Sequence, residues 1–200
     1  MLLSSIDHGE LHREVIVTII DYHFKQTAFA SFSTEAATSA FLSGYAWKTG
    51  IVATLCVLFG INNIQRKMGM MASLVVLPVL IGIAVLTIKF NPNSLTIALW
   101  IMVFSKAVNY ALNAPTLKQL YIPTSQSTKY KAQAWLEMFG SRGAKGAASG
   151  INSLRNTLPL AGFLTMSVAL SGGLIAVWIF AALFVAKSYN SAVEKDEVVC

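Results

Sequence analysis

Two long stretches without a charged residue constrain the fold of this 200-residue chain more than any other feature. One runs for 31 residues, from Asn156 to Ala186, and the other for 19 residues, from Met70 to Ile88. About 20 apolar residues suffice for a helix to cross a lipid bilayer. The chain is 55% hydrophobic and 12% charged, whereas a soluble domain is about a quarter charged. The sequence therefore predicts an all-α integral membrane protein.

Short polar breaks divide the chain into about six predicted transmembrane helices. The Asn-Pro-Asn sequence at residues 91–93 is a turn signal between two apolar segments. Pro78 is expected to kink the third helix, because proline removes a backbone hydrogen bond. The first segment is weakly apolar, and the fifth is polar and rich in glycine. The six segments cover residues 14–33, 40–64, 69–90, 94–114, 132–155 and 158–187.

The distribution of basic residues predicts the orientation in the membrane. Lysine and arginine concentrate in cytoplasmic loops, and with the N-terminus inside only Lys89 and Arg155 fall on the other side. We therefore expect an inner-membrane protein with cytoplasmic tails at residues 1–13 and 188–200 and a six-helix domain over 14–187. Six helices with both ends inside correspond to one half of a major-facilitator-type transporter, in which two halves surround a site near the middle of the bilayer.

The first predicted helix carries two opposite charges, Asp21 and Lys25. A charge at the centre of the bilayer costs about 2.5 to 3.5 kcal/mol, so each of the two needs a compensating partner. Their four-residue spacing lets the two side chains meet on one face of a helix. The pair is either a structural ion pair inside the bundle or a pair coupled to gating and substrate.

The fourth predicted helix carries one continuous polar stripe on an otherwise apolar surface. Its members follow one another at i, i+3, i+4 and i+7, a spacing that keeps them on one face of a helix. The stripe is expected to face an aqueous cavity. The alternative for its lysine is a side chain that reaches from a helix end to the membrane surface. The stripe consists of Lys106, Asn109, Tyr110 and Asn113.

The fifth predicted helix places cations on one face and glycines on the other. Small residues four apart let membrane helices approach closely. The glycine face is therefore expected to pack against a neighbouring helix while the cations line a path for anions. The alternative is an amphipathic helix that lies on the membrane surface. The polar face holds Ser141, Arg142, Lys145, Ser149 and Asn152, and the opposite face holds Gly143, Gly146, Ala147 and Gly150.

Other kinds of chemistry find little support in the sequence. The 15 basic residues outnumber the 9 acidic ones, but they are scattered and form no basic arm for nucleic acid. His8 and His12 have a spacing seen in metal sites, yet they lie in a polar segment without further ligands. The sequence contains neither a nucleophile elbow nor a pair of catalytic acids. We therefore predict no enzyme activity, no nucleic-acid partner, no metal and no cofactor.

Residues 106–154 contain an ordered series of motifs. A Lys-x-x-x-Tyr-x-Leu-x-x-Pro-Thr sequence starts at Lys106, and a Tyr-Ile-Pro sequence starts at Tyr121. A lysine-rich link then leads to a Gly-Ser-Arg-x-x-Lys sequence at Gly140. Near the N-terminus, residues 21–25 add an acid-x-x-aromatic-Lys element. With these motifs the chain resembles the second half of the ATP/ADP translocase family of intracellular bacteria and plastids.

The resemblance implies a membrane transporter of nucleotides, which exchanges ATP for ADP or imports nucleotides. A family member has a second set of helices in addition to those seen here. The chain is therefore expected to be a half-size carrier that needs a second six-helix half, supplied by another chain or by a homodimer, or else a truncated remnant. The alternatives are a membrane subunit without transport activity and a carrier of another organic anion.

The resemblance also implies roles for single residues. The basic members of the expected site bind the phosphates of the nucleotide, and Asp21 acts as a coupled acid. Arg142 and Lys145 are expected to contact the phosphate chain directly. Replacing Lys145 by glutamine is expected to cost about 1 to 3 kcal/mol of nucleotide affinity. The complete set of expected substrate-binding residues is Asp21, Lys25, Lys106, Asn109, Tyr110, Asn113, Arg142, Lys145 and Ser149.

Overall fold

The computed structural model describes residues 2–58, 61–122 and 125–194, and these segments are helical almost throughout, with no strand among them. The predicted all-α fold is thereby confirmed. Short π-helical turns at Asn109–Asn113 and Leu136–Gly140 join α4 to α5 and α6 to α7. The helices along this part of the chain are α1 (Leu2–Ser31), α2 (Glu35–Leu58), α3 (Ile61–Phe90), α4 (Leu95–Val108), α5 (Ala114–Leu120), α6 (Gln126–Trp135), α7 (Ser141–Ser153) and α8 (Leu160–Glu194).

Four helical stretches among the described residues are long and apolar enough to cross a membrane. They correspond to the second, third, fourth and sixth predicted segments. The first and fifth predicted segments are also helical, within α1 and within α6 and α7, but their polar residues keep them below the hydropathy of a typical span. The number of six spans therefore stays a prediction. The four stretches are Glu35–Leu58, Gly69–Phe90, Leu95–Leu120 and Leu160–Ser191.

Helices extend into both segments that the sequence predicts as tails. The helix α1 begins at Leu2, and α8 continues to Glu194. Residues 195–200, which complete the predicted C-terminal tail, lie outside the described residues, and so does the side chain of His8. The side of the membrane on which each tail lies stays a prediction.

The helix α1 has two faces of different chemistry, which place it in the middle of the bundle. Ile16, Ile20 and Phe24 follow one another every four residues and are buried. They pack into a core built from α3, α4 and α8, with Leu77 and Trp178 among its members. In a bilayer such contacts stabilise the bundle through close packing rather than by removal of water. Another face of α1 carries charged side chains, Asp21 and Lys25 among them.

The helix α3 is interrupted at Gly69, whose backbone angles are φ 80° and ψ 177°. A positive φ of this size is easily adopted only by glycine. Pro78, where the sequence predicts a kink, lies within the helical part of α3 and is fully buried. The break in α3 is therefore set by a glycine near its start.

The turn predicted at residues 91–93 is confirmed, since α3 ends at Phe90 and α4 begins at Leu95. The hydroxyl of Ser94 accepts a hydrogen bond from the backbone N–H of Ile97 at 3.4 Å. A serine at this position caps the helix by satisfying one of its free N–H groups. The cap fixes where α4, and with it the predicted polar stripe, begins.

Candidate functional site

A cavity of about 520 Å³ opens between α1, α3, α4 and α7. Its floor is apolar and includes Leu77, Ile81 and Met102, which belong to the core of the bundle or border it. Its walls are polar and charged. Seven of the nine predicted site residues line it, namely Asp21, Lys25, Lys106, Asn109, Tyr110, Lys145 and Ser149, and the unpredicted Arg13, Glu14, Thr18 and Ser105 join them.

One group of charges in the cavity is the Asp21 cluster, which consists of Asp21, Lys25 and Lys106. The Nζ atom of Lys25 lies 2.6 Å from Oδ2 of Asp21, and the Nζ atom of Lys106 lies 3.9 Å from Oδ1. Lys106 also sits 5.2 Å from the ring centre of Tyr45, within the range in which an aromatic face attracts a cation. A single carboxylate thus stands between two lysines from different helices.

A second group is the Glu14 cluster, which consists of Glu10, Arg13, Glu14 and Lys145. Arg13 lies between the two acids, with its Nη2 atom 2.8 Å from Oε2 of Glu10 and 2.6 Å from Oε1 of Glu14. Lys145 reaches over from α7, and its Nζ atom lies 3.5 Å from the other oxygen of Glu14. The cluster therefore joins α1 to α7 by an ionic contact.

The polar stripe of the fourth predicted helix divides between the cavity and the core. Lys106, Asn109 and Tyr110 line the cavity, whereas Asn113 is buried outside it. The amide of Asn113 donates to Oδ1 of Asn109 at 3.1 Å and to Oε1 of Glu10 at 3.3 Å. These contacts give Asn113 a supporting position behind the Glu14 cluster.

The π-helical turn Asn109–Asn113 coincides with the polar part of this stripe. A π turn inserts an extra residue and redirects the side chains that follow it, and such turns occur often at functional sites. The redirection accounts for the split, because a regular helix would keep all four members of the stripe on one face.

The helix α7 turns a different face to the bundle than the sequence predicts. Its buried residues are Ala144, Ala148 and Asn152, and it packs with this face on α1. Beyond the adjacent residues and backbone of its own helix, a side-chain carbon placed on Gly143, Gly146 or Gly150 would meet no described atom within 4 Å. The expectation that the glycines pack against a neighbouring helix of this chain is therefore wrong.

The reason lies in the position of Lys145 next to the buried alanines. Ala144 and Ala148 are four residues apart and small enough to let α7 lie close to α1. Lys145 and Ser149 follow at the edge of this contact and line the cavity. Arg142 comes still farther round the helix, is exposed and does not line the cavity. The glycines lie on the side of the helix opposite these buried alanines, so they point away from α1.

Four residues that line the cavity are absent from the site predicted from the sequence, namely Arg13, Glu14, Thr18 and Ser105. Of these, only Arg13 falls in the predicted tail at residues 1–13. The spacing of polar residues along α1 could have identified Glu14 and Thr18. Glu14, Thr18, Asp21 and Lys25 follow at i, i+4, i+7 and i+11, which is one face of a helix. All four line the cavity. They also lie within the first predicted helix, so their spacing alone joins the α1 acids of both charge clusters, Glu14 and Asp21, in one stripe.

The ionised groups that line the cavity give it an excess of positive charge. Four of the lining residues are cations and two are carboxylates. Glu10, which does not line the cavity, pairs with Arg13, so among the described residues one positive charge remains unbalanced. A cleft lined by one sign of charge concentrates ligands of the opposite sign. The arrangement suits an anion that carries several negative charges.

A second opening of about 680 Å³ lies at the other end of α1, beside the turn between α3 and α4. Arg155 is its one lysine or arginine among the described residues. On its wall, Nε2 of His23 donates to the carbonyl oxygen of Pro92 at 3.0 Å. With a single cation this opening fits a multiply charged anion less well than the cavity between α1, α4 and α7.

Comparisons with known proteins agree with this chemistry. The sequence profile of the family described as TLC ATP/ADP transporter matches residues 11–189. The chain is 25% identical to ADP,ATP carrier protein 1 of Rickettsia prowazekii (strain Madrid E), over 92% of this chain and 41% of the carrier. It is 26% identical to ADP,ATP carrier protein 1 of Chlamydia pneumoniae, over 92% of this chain and 40% of the carrier. It is 22% identical to ADP,ATP carrier protein 2, chloroplastic, of Arabidopsis thaliana, over 92% of this chain and 33% of the carrier.

No solved structure gives a significant match. The chain spans about two fifths of the length of the two bacterial carriers. The profile covers most of the chain and every residue that lines the cavity. The family resemblance inferred from the motifs is confirmed, and the relatives are carriers rather than enzymes. This chain belongs to the TLC ATP/ADP transporter family.

Proposed function

We propose that the chain transports nucleotides, ATP and ADP first among them, and binds their phosphates in the cavity between α1, α4 and α7. The observation that carries the proposal is the set of four cations on the cavity wall, which exceed the acids paired with them by one charge, in a protein from a transporter family. A volume of about 520 Å³ lies in the range of sites for small molecules and cofactors. Contacts between ionised donors and phosphate are about twice as strong as neutral hydrogen bonds.

Each part of the cavity has a proposed role. Lys25 and Lys106 bind the phosphate chain from the Asp21 cluster, and Lys145 binds it from α7. Asp21 neutralises one of the two lysine charges and is the acid coupled to substrate binding. The exposed ring of Tyr110 offers a flat apolar surface to the adenine base. Asn109 and Ser149 supply uncharged hydrogen-bond groups.

The proposed membrane arrangement keeps the six-helix plan. In this arrangement α1 and the unit formed by α6 and α7 also cross the bilayer, and they are polar because they line the cavity. Charged residues inside a membrane face a water-filled cavity or a partner charge, which both clusters satisfy. Both termini lie in the cytoplasm, as the basic residues predict. Cysteine labelling at Ser4 and Ser191 in intact cells tests this, and labelling from outside at either position would contradict it.

A second half is proposed to cover the open side of the cavity. The side chains of Lys25 and Lys145 are 52% and 57% exposed, and the glycine face of α7 is open. Charged side chains and bare backbone next to lipid are costly. A second six-helix half, on another chain or on a second copy of this one, removes both costs and gives the glycine face the close helix contact that its spacing suits.

The test of the proposed function combines binding and transport. Purified protein is heated with ATP, ADP, pyrophosphate or a dicarboxylate, and uptake of radiolabelled ATP is measured in cells that express the chain alone or with a candidate second half. We expect stabilisation by ATP and ADP that exceeds stabilisation by the dicarboxylate, and uptake with the second half present. Stabilisation by the dicarboxylate alone would favour a carrier of another organic anion. Binding without uptake in any combination would favour a subunit without transport activity.

A further inference from the structure

We propose that Glu14 is an internal competitor for the substrate phosphate at Lys145 and is displaced from this lysine when the substrate binds. The inference rests on the proposed function, since it concerns the same cavity. In this role the carboxylate of Glu14 weakens the binding of an anion to the cavity.

The geometry of Glu14 points to this role because its two oxygens serve two different cations. Oε1 lies 2.6 Å from the guanidinium of Arg13, and Oε2 lies 3.5 Å from Nζ of Lys145. Among the described residues this is the one ion pair that Lys145 makes. The carboxylate of Glu14 therefore lies beside Lys145, where a phosphate oxygen would contact this lysine.

The two contacts of Glu14 differ in strength. The pair with Arg13 is short, and both side chains are largely shielded from solvent. The pair with Lys145 is longer, and Lys145 is more than half exposed. Exposed ion pairs contribute little to stability. A phosphate chain with several negative charges can therefore take Lys145 from Glu14, while Glu14 stays on Arg13.

The Glu14 cluster has no cation to spare for a substrate. Glu10 and Glu14 balance Arg13 and Lys145 one for one. A phosphate that takes Lys145 in exchange for Glu14 loses the energy of that ion pair, and this lowers the affinity of the site. The same exchange breaks the ionic contact between α1 and α7. A carrier must release what it binds, and a carboxylate that returns to the lysine favours that release.

The experiment measures anion binding to purified full-length protein and to its Glu14→Gln variant. ATP and pyrophosphate are the probes, and the dissociation constant is measured by calorimetry. We expect both anions to bind about two- to fivefold more tightly to the variant, the range that exposed ion pairs cover. Glu137→Gln is the matched control, since Glu137 is exposed on the π-helical turn after α6 and does not line the cavity. It should leave both constants unchanged.

A double-mutant cycle separates competition at Lys145 from a general effect of charge. In a Lys145→Gln background the gain from Glu14→Gln should disappear. An equal gain in both backgrounds, no gain, or weaker binding would overturn the inference. Should Glu14→Gln fail to fold, Glu14→Asp serves instead: the shorter side chain keeps the close partner Arg13 and withdraws from Lys145, so a smaller gain of the same sign is expected. No gain with this variant either would also overturn the inference.

The outcomes for the inference and for the proposed function differ. If wild-type protein binds neither anion but the Glu14→Gln variant binds pyrophosphate, Glu14 masks the site and the inference stands, while nucleotide binding by the chain alone is wrong. If wild-type protein binds ATP and the variant binds it no more tightly, the proposed function survives and the inference fails. If neither protein binds either anion, both fail.

Discussion

The Asp21 cluster and the Glu14 cluster share one design but differ in charge. Each has a carboxylate of α1 between two cations, one from α1 itself and one from another helix. The Asp21 cluster has two lysines for one acid and keeps one positive charge. The Glu14 cluster includes a second acid, Glu10, and is neutral.

The difference shows where a phosphate chain gains most from the cavity. At the Asp21 cluster an anion meets an unbalanced cation, whereas at the Glu14 cluster it must first replace a carboxylate. We therefore expect the Asp21 cluster to supply most of the affinity and the Glu14 cluster to adjust it. Four substitutions test this comparison.

The largest effect is expected for Lys106→Gln. It removes a partly buried cation from the positive cluster, and contacts to charged groups contribute about 1.5 to 3 kcal/mol. Nucleotide affinity, measured by calorimetry, should fall by that amount. Lys89→Gln is the control, since Lys89 lies exposed at the end of α3. Equal losses of affinity in the two variants would show that the Asp21 cluster does not bind the nucleotide.

The next effect concerns stability rather than binding. Asp21→Asn leaves Lys25 and Lys106 side by side without their acid. Breaking a buried ion pair costs about 3 to 5 kcal/mol. Because Lys25 is half exposed, solvent reduces the expected cost to about 1 kcal/mol. We expect a lower thermal midpoint in the absence of nucleotide, with part of the loss restored by ATP. An unchanged midpoint would show that the acid does not stabilise the empty site.

A smaller loss of affinity is expected for Lys145→Gln. The sequence alone suggests a cost of about 1 to 3 kcal/mol. The ion pair with Glu14 places the expected value near 1 kcal/mol, because part of the gain from the phosphate is offset by the lost pair. The loss of nucleotide affinity in Lys145→Gln is compared with the loss in Lys106→Gln. A larger loss for Lys145→Gln would reverse the assignment of the two clusters.

The smallest effect is expected for Arg142→Gln in the protein without a second half. Arg142 is exposed and outside the cavity, and surface substitutions usually change free energies by less than about 0.5 kcal/mol. The sequence places Arg142 with Lys145 on the phosphate face, and this assignment stays a prediction. A loss as large as that of Lys145→Gln would show that Arg142 contributes to nucleotide binding although it lies outside this cavity.

The sequence by itself determined the class of the protein and much of its site. Long uncharged stretches predict membrane helices, the motifs from Lys106 onward identify the family, and the four-residue spacing predicts the pair of Asp21 and Lys25, which the structure contains. These inferences succeed because they depend on composition or on neighbours along one helix.

The tertiary structure decided which faces of the helices meet. It brought Lys145 of α7 to Glu14, buried Asn113 against Glu10, and left the glycines of α7 open. A helical wheel gives the angles between side chains on one helix, but it does not give the rotation of that helix towards its neighbours. The rotation of α7 depends on Ala144 and Ala148, which pack on α1. The position of Asn113 depends on the π-helical turn that redirects its side chain. Both are contacts and bends that exist only in the assembled bundle.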